Sequence, residues 1–117
     1  MRKRGTSERD NGELEFTRAA YDAVRDAETS YSLLGTVLLS FDAQRGVLAL
    51  AVAFWEVHPD REMGQVVMQR GSWPNAAGAS FGAYLFQQCN KAVQMAESWH
   101  FNRQQHAANG SDTAPLA

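Results

Sequence analysis

The side chains from which this chain could build proton transfer, nucleophilic attack or metal binding are three histidines, one cysteine and thirteen carboxylates. His58 stands near Glu56 and Asp60, and Asp42 completes the carboxylates that could pair with it for general acid–base work. No nucleophile and no third, orienting group follow from the spacing. Cys89 and His100 are eleven positions apart on a predicted helix, which separates them by roughly 16 Å along its axis, too far for a thiolate and its base. Cys89 reads instead as a small core residue. His100 and His106 lack the four-residue spacing with which two helical imidazoles hold a metal. Gly71, Gly78 and Gly82 precede a helix, as in phosphate-binding loops, but they match neither GxGxxG nor the P-loop pattern, so close packing and a flexible loop are expected. No catalytic residue, metal or cofactor is expected.

At 117 residues the chain has room for one domain. A hydrophobic content of 44% with 21% charged residues is that of a globular chain rather than a disordered one. The net charge of −2 argues against a broad basic surface, so nucleic acid is not an expected partner. A single cysteine builds neither an internal disulfide nor a zinc site, which suits a reducing compartment. The longest apolar run, Val47 to Trp55, is about half of the roughly 20 residues that cross a bilayer. Met1-Arg2-Lys3-Arg4 is followed by polar residues where a secretory peptide has its apolar stretch. Glu8 and Asp10 leave only a loose likeness to an organelle transit peptide. An intracellular location, cytoplasmic or mitochondrial, and no membrane insertion are expected.

The elements that must carry these residues are only partly fixed by pattern. Residues 1–12 and 104–117 read as mobile tails. Glu13 to Thr29 has the spacing of a helix, with Leu14, Tyr21, Val24 and Tyr31 near one face and Asp10 with Glu13 as its start signal. From Ala79 to about Arg103, Phe81, Leu85, Cys89, Ala92, Ala96 and Trp99 make the stripe of a long amphipathic helix. The middle admits two readings. Ser32–Phe41, Val47–Val57 and Gly64–Arg70 could be three strands, giving an α+β order of helix, three antiparallel strands, helix. Val47, Leu50, Phe54 and Val57 also recur at helical spacing, the run holds three alanines, and Asp42 could cap it. Gly64, Gly71, Pro74, Asn75 and Gly78 mark residues 61–78 as largely loop.

His58-Pro59-Asp60, followed by Arg61, resembles the tripeptide of the J-domain of Hsp70 co-chaperones, which forms the loop between two antiparallel helices. Upstream, Tyr31-x-x-Leu34-Gly35 resembles that family's opening signature, at nearly the family's distance. Downstream, Phe86-x-x-Cys89-x-x-Ala92 resembles its third helix, and Phe101-Asn102 the pair that ends its last one. The resemblance covers about residues 31–103 and implies an all-α fold: a J-domain-like antiparallel helical hairpin, with residues 13–30 as an extra N-terminal helix. Under it, residues from about Ala43 to Val57 form a helix and residues 61–78 an exposed loop.

The same resemblance implies the function. His58, Pro59, Asp60 and Arg61 would engage an Hsp70 and stimulate its ATPase, with Asp60 as the charged contact, His58 as a polar one and Pro59 holding the loop shape. The family's second helix is basic on its outer side, whereas no lysine or arginine lies between Gly46 and His58 here. Leu48, Val52 and Trp55 stand there instead, an apolar face that needs a cover. The second expectation is therefore a J-like structural or interaction subunit of a larger assembly, without chaperone stimulation. The first helix of the same chain could equally supply the cover. The α+β order would resemble that of a double-stranded RNA-binding domain, but Pro74 to Ala83 offers no cation to a phosphate backbone. Trp73 is a candidate anchor for a protein contact.

Overall fold

The structure, a computed structural model, describes residues 8–73 and 80–113. Its order is α1 (Glu8–Tyr31), β1 (Leu34–Asp42), β2 (Val47–His58), β3 (Arg61–Trp73) and α2 (Phe81–Thr113). The strands form one antiparallel meander, β1-β2-β3. Of the tails expected at the two ends, residues 8–12 begin α1 and residues 104–113 continue α2, while residues 1–7 and 114–117 lie outside the described residues, as do Pro74, Asn75 and Gly78.

The all-α expectation is overturned. The segment expected as a helix from Ala43 to Val57 is a turn followed by β2, paired from Leu34↔Trp55 to Asp42↔Val47 on one side and with β3 on the other. The physical reason is an alternation of size. Leu48, Leu50, Val52 and Phe54 are large, and Ala49, Ala51 and Ala53 between them are small, so a strand puts all the bulk on one face. Leu50, Val52 and Phe54 are indeed buried under the helices. A helix would have scattered that bulk around its circumference. The β3 segment was expected as loop because of its glycines. Two of its residues are instead extra to the ladder, at register shifts opposite Phe54/Trp55 and Glu56/His58.

Each connection has a local cause. At the end of α1, Ser32 adopts a left-handed φ of 56° and the Leu33 amide donates back to the Glu28 carbonyl at 3.1 Å. This is the reverse turn that closes many helices, with buried Leu33 as its apolar contact. Between β1 and β2, the Asp42 carboxylate accepts the amides of Gln44 and Arg45, and Gly46 takes the positive φ of 67° that closes the loop. Gly46 is thus a turn residue. Pro59 and Asp60 make the two-residue turn between β2 and β3.

Four chain reversals leave α1 and α2 running the same way, side by side on one face of the sheet. Phe16 meets Phe86 at one end of the pair and Tyr31 meets His100 at the other. Small residues line the contact: Ala20 and Ala27 on α1, Cys89, Ala92 and Ala96 on α2, all buried. Small helix side chains over large strand side chains make the core. The first helix is therefore half of the helical layer rather than an addition to a separate domain. Gly35 lets it approach the sheet, since a Cβ there would sit 2.6 Å from Val24 Cγ1 and 3.1 Å from Phe54 Cε1.

Candidate protein-interaction surface

The sequence-derived residues are brought to two different places. His58 ends β2 and is half-buried, Pro59 and Asp60 form the exposed hairpin turn, and Arg61 opens β3 opposite His58. Leu48 and Val52 point toward the helices, and Val52 is fully buried in the core. Trp55 lies on the opposite face of the sheet, where its Nε1 donates to Thr36 Oγ1 at 3.0 Å. Strand alternation therefore splits the apolar face expected of Leu48, Val52 and Trp55. Trp73 is packed edge-on to Phe81 at 5.2 Å as part of the helix–sheet contact.

His58 lines a groove of about 480 Å³ where the end of β2 meets α2. Its Nε2 lies 3.0 Å from Glu56 Oε1, and the other Glu56 oxygen is held by Arg103 of α2. The Arg103 guanidinium is 5.3 Å above the Trp99 ring, a cation–π arrangement. Tyr31 and His100 close the groove with their rings 5.0 Å apart. Burial, with the Glu97 carboxylate beside it, pushes the Tyr31 hydroxyl above its ordinary range. The chemistry is that of a tie: one Glu56 oxygen faces His58 of its own strand and the other is held by Arg103, so the carboxylate joins β2 to α2. Sequence reading found His58 and Glu56 but not Arg103, because a contact between residues so far apart leaves no local spacing.

Cys89 is fully buried, and burial pushes its thiol up to about 11. A thiol held protonated in this way is a poor nucleophile. Among the described residues no three side chains are grouped to hold a metal ion.

The second place is the sheet face away from the helices. Ala49 and Ala51 of β2 form a floor, with Leu38 and Ser40 of β1 along one side and Met68, Arg70 and Ser72 of β3 along the other, around a hollow of about 690 Å³. Arg70 is the one charged residue in that lining. The indole of Trp55 stands beyond it, fixed to Thr36. No helix among the described residues covers this face. The size alternation that identifies β2 as a strand also announces the floor, because the small residues must line whichever face the core does not use. Beside it, β1 is an edge strand on which Leu38 and Phe41 are 66% and 65% exposed. Its run Leu33-Leu-Gly-Thr-Val-Leu-Leu-Ser-Phe41 contains no charge.

Among the described residues no helix is long and apolar enough to cross a membrane. No family model, no curated protein and no solved structure matches the chain.

Proposed function

We propose that this chain is a protein-binding module whose bare sheet face seats the apolar ridge of a partner polypeptide. One observation carries the reading: an alanine floor walled by Leu38 on one side and Met68 on the other, with none of the described residues laid over it. A continuous apolar hollow left open on a small protein is characteristic of an interaction site. A trough with small residues below and large ones along its rims fits an amphipathic helix laid along β2, its apolar stripe on Ala49 and Ala51. Arg70 on the rim favours a carboxylate on the partner's polar flank.

This is the interaction-subunit expectation in a new place, transferred from Leu48 and Val52 to the opposite face. The Hsp70 co-chaperone expectation required a helix ahead of His58 to present the tripeptide. The β-hairpin turn that carries Pro59 and Asp60 removes that support.

The test is site-specific photocrosslinking from position 51 in the chain's own cells, with position 104 on α2 as control. The expected product is a partner captured from position 51 alone, whose binding to the purified chain is lost on Ala51→Arg. Capture from both positions alike, or binding indifferent to Ala51→Arg, would reject the trough as the binding site.

A further inference from the structure

The geometry points to a second copy of this chain as the occupant of the free edge of β1, joining two three-stranded sheets into one of six. This concerns the backbone edge and not the alanine trough, and it stands whether or not the trough reading does.

The two edges of the sheet are treated differently. The β3 edge is interrupted by two register shifts and carries Arg61, Glu62 and Arg70. Bulges and charges of this kind are how proteins prevent sheets from joining edge to edge. The β1 edge has neither: its nine residues pair with β2 without a shift, and only the last, Asp42, is charged.

One contact shows which backbone groups are available. The Gly35 amide donates to the Glu28 carboxylate at 2.7 Å, so it is turned away from β2. Backbone groups in an antiparallel ladder alternate, so Val37, Leu39 and Phe41 turn theirs outward as well. Glu28 occupies the outward group at one end, and none of the described residues takes the three outward positions that follow. An antiparallel copy centred on Leu39 uses all three. Leu39 pairs with the second copy's Leu39, and Val37 with its Phe41, giving about six inter-strand hydrogen bonds.

The side chains agree with that register. Val37 opposite Phe41 is a β-branched residue facing an aromatic, a stabilising cross-strand pair, and no like charges oppose one another. Such a two-fold arrangement is self-complementary by construction. Leu39 and Phe41 lie on the helix side of β1, yet both are exposed because α1 does not reach over them. Leu14 and Tyr21, also exposed, share a face of α1 with Glu28, at intervals of seven residues.

Sedimentation equilibrium on the full chain tests this directly. The expected species has twice the 12.9 kDa chain mass, and Leu39→Lys returns it to a single chain with an unchanged circular dichroism spectrum. Under mild oxidation Leu39→Cys should form a covalent dimer. Phe41→Cys should not, since two such residues would lie roughly 13 Å apart, beyond disulfide reach. Should Leu39→Lys fail to fold, amide exchange of the wild type decides: Val37, Leu39 and Phe41 must gain protection as concentration rises. A wild-type monomer at millimolar concentration overturns the proposal. Crosslinking of Phe41→Cys as readily as Leu39→Cys does so too. Dissociation by Ala51→Arg and not by Leu39→Lys would place any self-association on the sheet face instead of the edge.

Discussion

The Glu13 carboxylate of α1 accepts the Gly82 amide of α2 at 2.9 Å, across a sequence separation of 69 residues. Its second oxygen takes the hydroxyl of Ser80. Ser80 in turn caps α2 conventionally, its Oγ accepting the Ala83 amide at 3.0 Å. A capping box places an acidic residue three positions after the cap, and here α1 supplies that acid from outside the helix. Replacing Glu13 by Ala should lower stability by about 1 kcal/mol, the usual worth of a cap. Urea unfolding of Glu13→Ala, Ser80→Ala and the double variant measures it. The double variant should lose less than the sum of the singles, because both act on one network.

Ser32 holds a left-handed conformation that glycine adopts without strain. That conformation costs a non-glycine residue about 1–2 kcal/mol, part of which glycine returns as unfolded-chain entropy. Ser32→Gly should therefore stabilise the fold by about 0.5–1 kcal/mol, read as a raised thermal midpoint. A lowered midpoint would mean that the serine side chain contributes more than its backbone strain costs.

Gly71 lies under α2, facing Tyr84 and Gln88. A Cβ there would overlap the Tyr84 hydroxyl and lie 3.0 Å from Gln88 Oε1. Buried Gln88 also receives a hydrogen bond from Gln69 at 2.7 Å, so it cannot yield without disturbing the α2–β3 contact. Gly71→Ala should cost about 1–3 kcal/mol by overpacking. Equilibrium unfolding of Gly71→Ala and of Gly71→Ala with Tyr84→Ala checks the cause: the second change should relieve part of the first.

The fold should weaken at alkaline pH. Burial raises the Cys89 thiol from its ordinary 9.0 to about 11, and it raises the hydroxyls of Tyr31 and Tyr84 above 10.0. In each case the unfolded chain releases its proton first, so rising pH favours unfolding. For Cys89 the stability is fully present below pH 9 and is lost between about 9 and 11. Urea midpoints across that range should fall, and Cys89→Ala should show a later onset. Native Cys89 should also resist thiol reagents at pH 8, while the unfolded chain reacts at once.

The two helices were legible from the sequence because each carries a sustained stripe, Phe81 to Trp99 most clearly. The sheet was not, although its order was available as the alternative. Polarity is the usual marker of a strand with one buried face, and β2 marks its faces by size instead, alanine against leucine, valine and phenylalanine. Val47, Leu50, Phe54 and Val57 then coincide with a helical period, and the His58-Pro59-Asp60 resemblance reinforced it. Both candidate surfaces depend on that missed pleat. The Ala49–Ala51 floor exists only if β2 is extended, and the outward alternation of Val37, Leu39 and Phe41 only if β1 is. The tie from Glu56 to Arg103 depends on tertiary placement that no local pattern records.

The nearly constant offset between contacting residues of α1 and α2 has a bearing on biosynthesis. A chain made from its N-terminus forms α1 and the meander before Cys89, Ala92 and Ala96 have been translated. Until those residues emerge, Leu50, Val52 and Phe54 have only half of their cover, and a nascent sheet with one open core face is prone to stick to others. Truncation on the N-terminal side of Ala96 should therefore yield insoluble material rather than a smaller native domain.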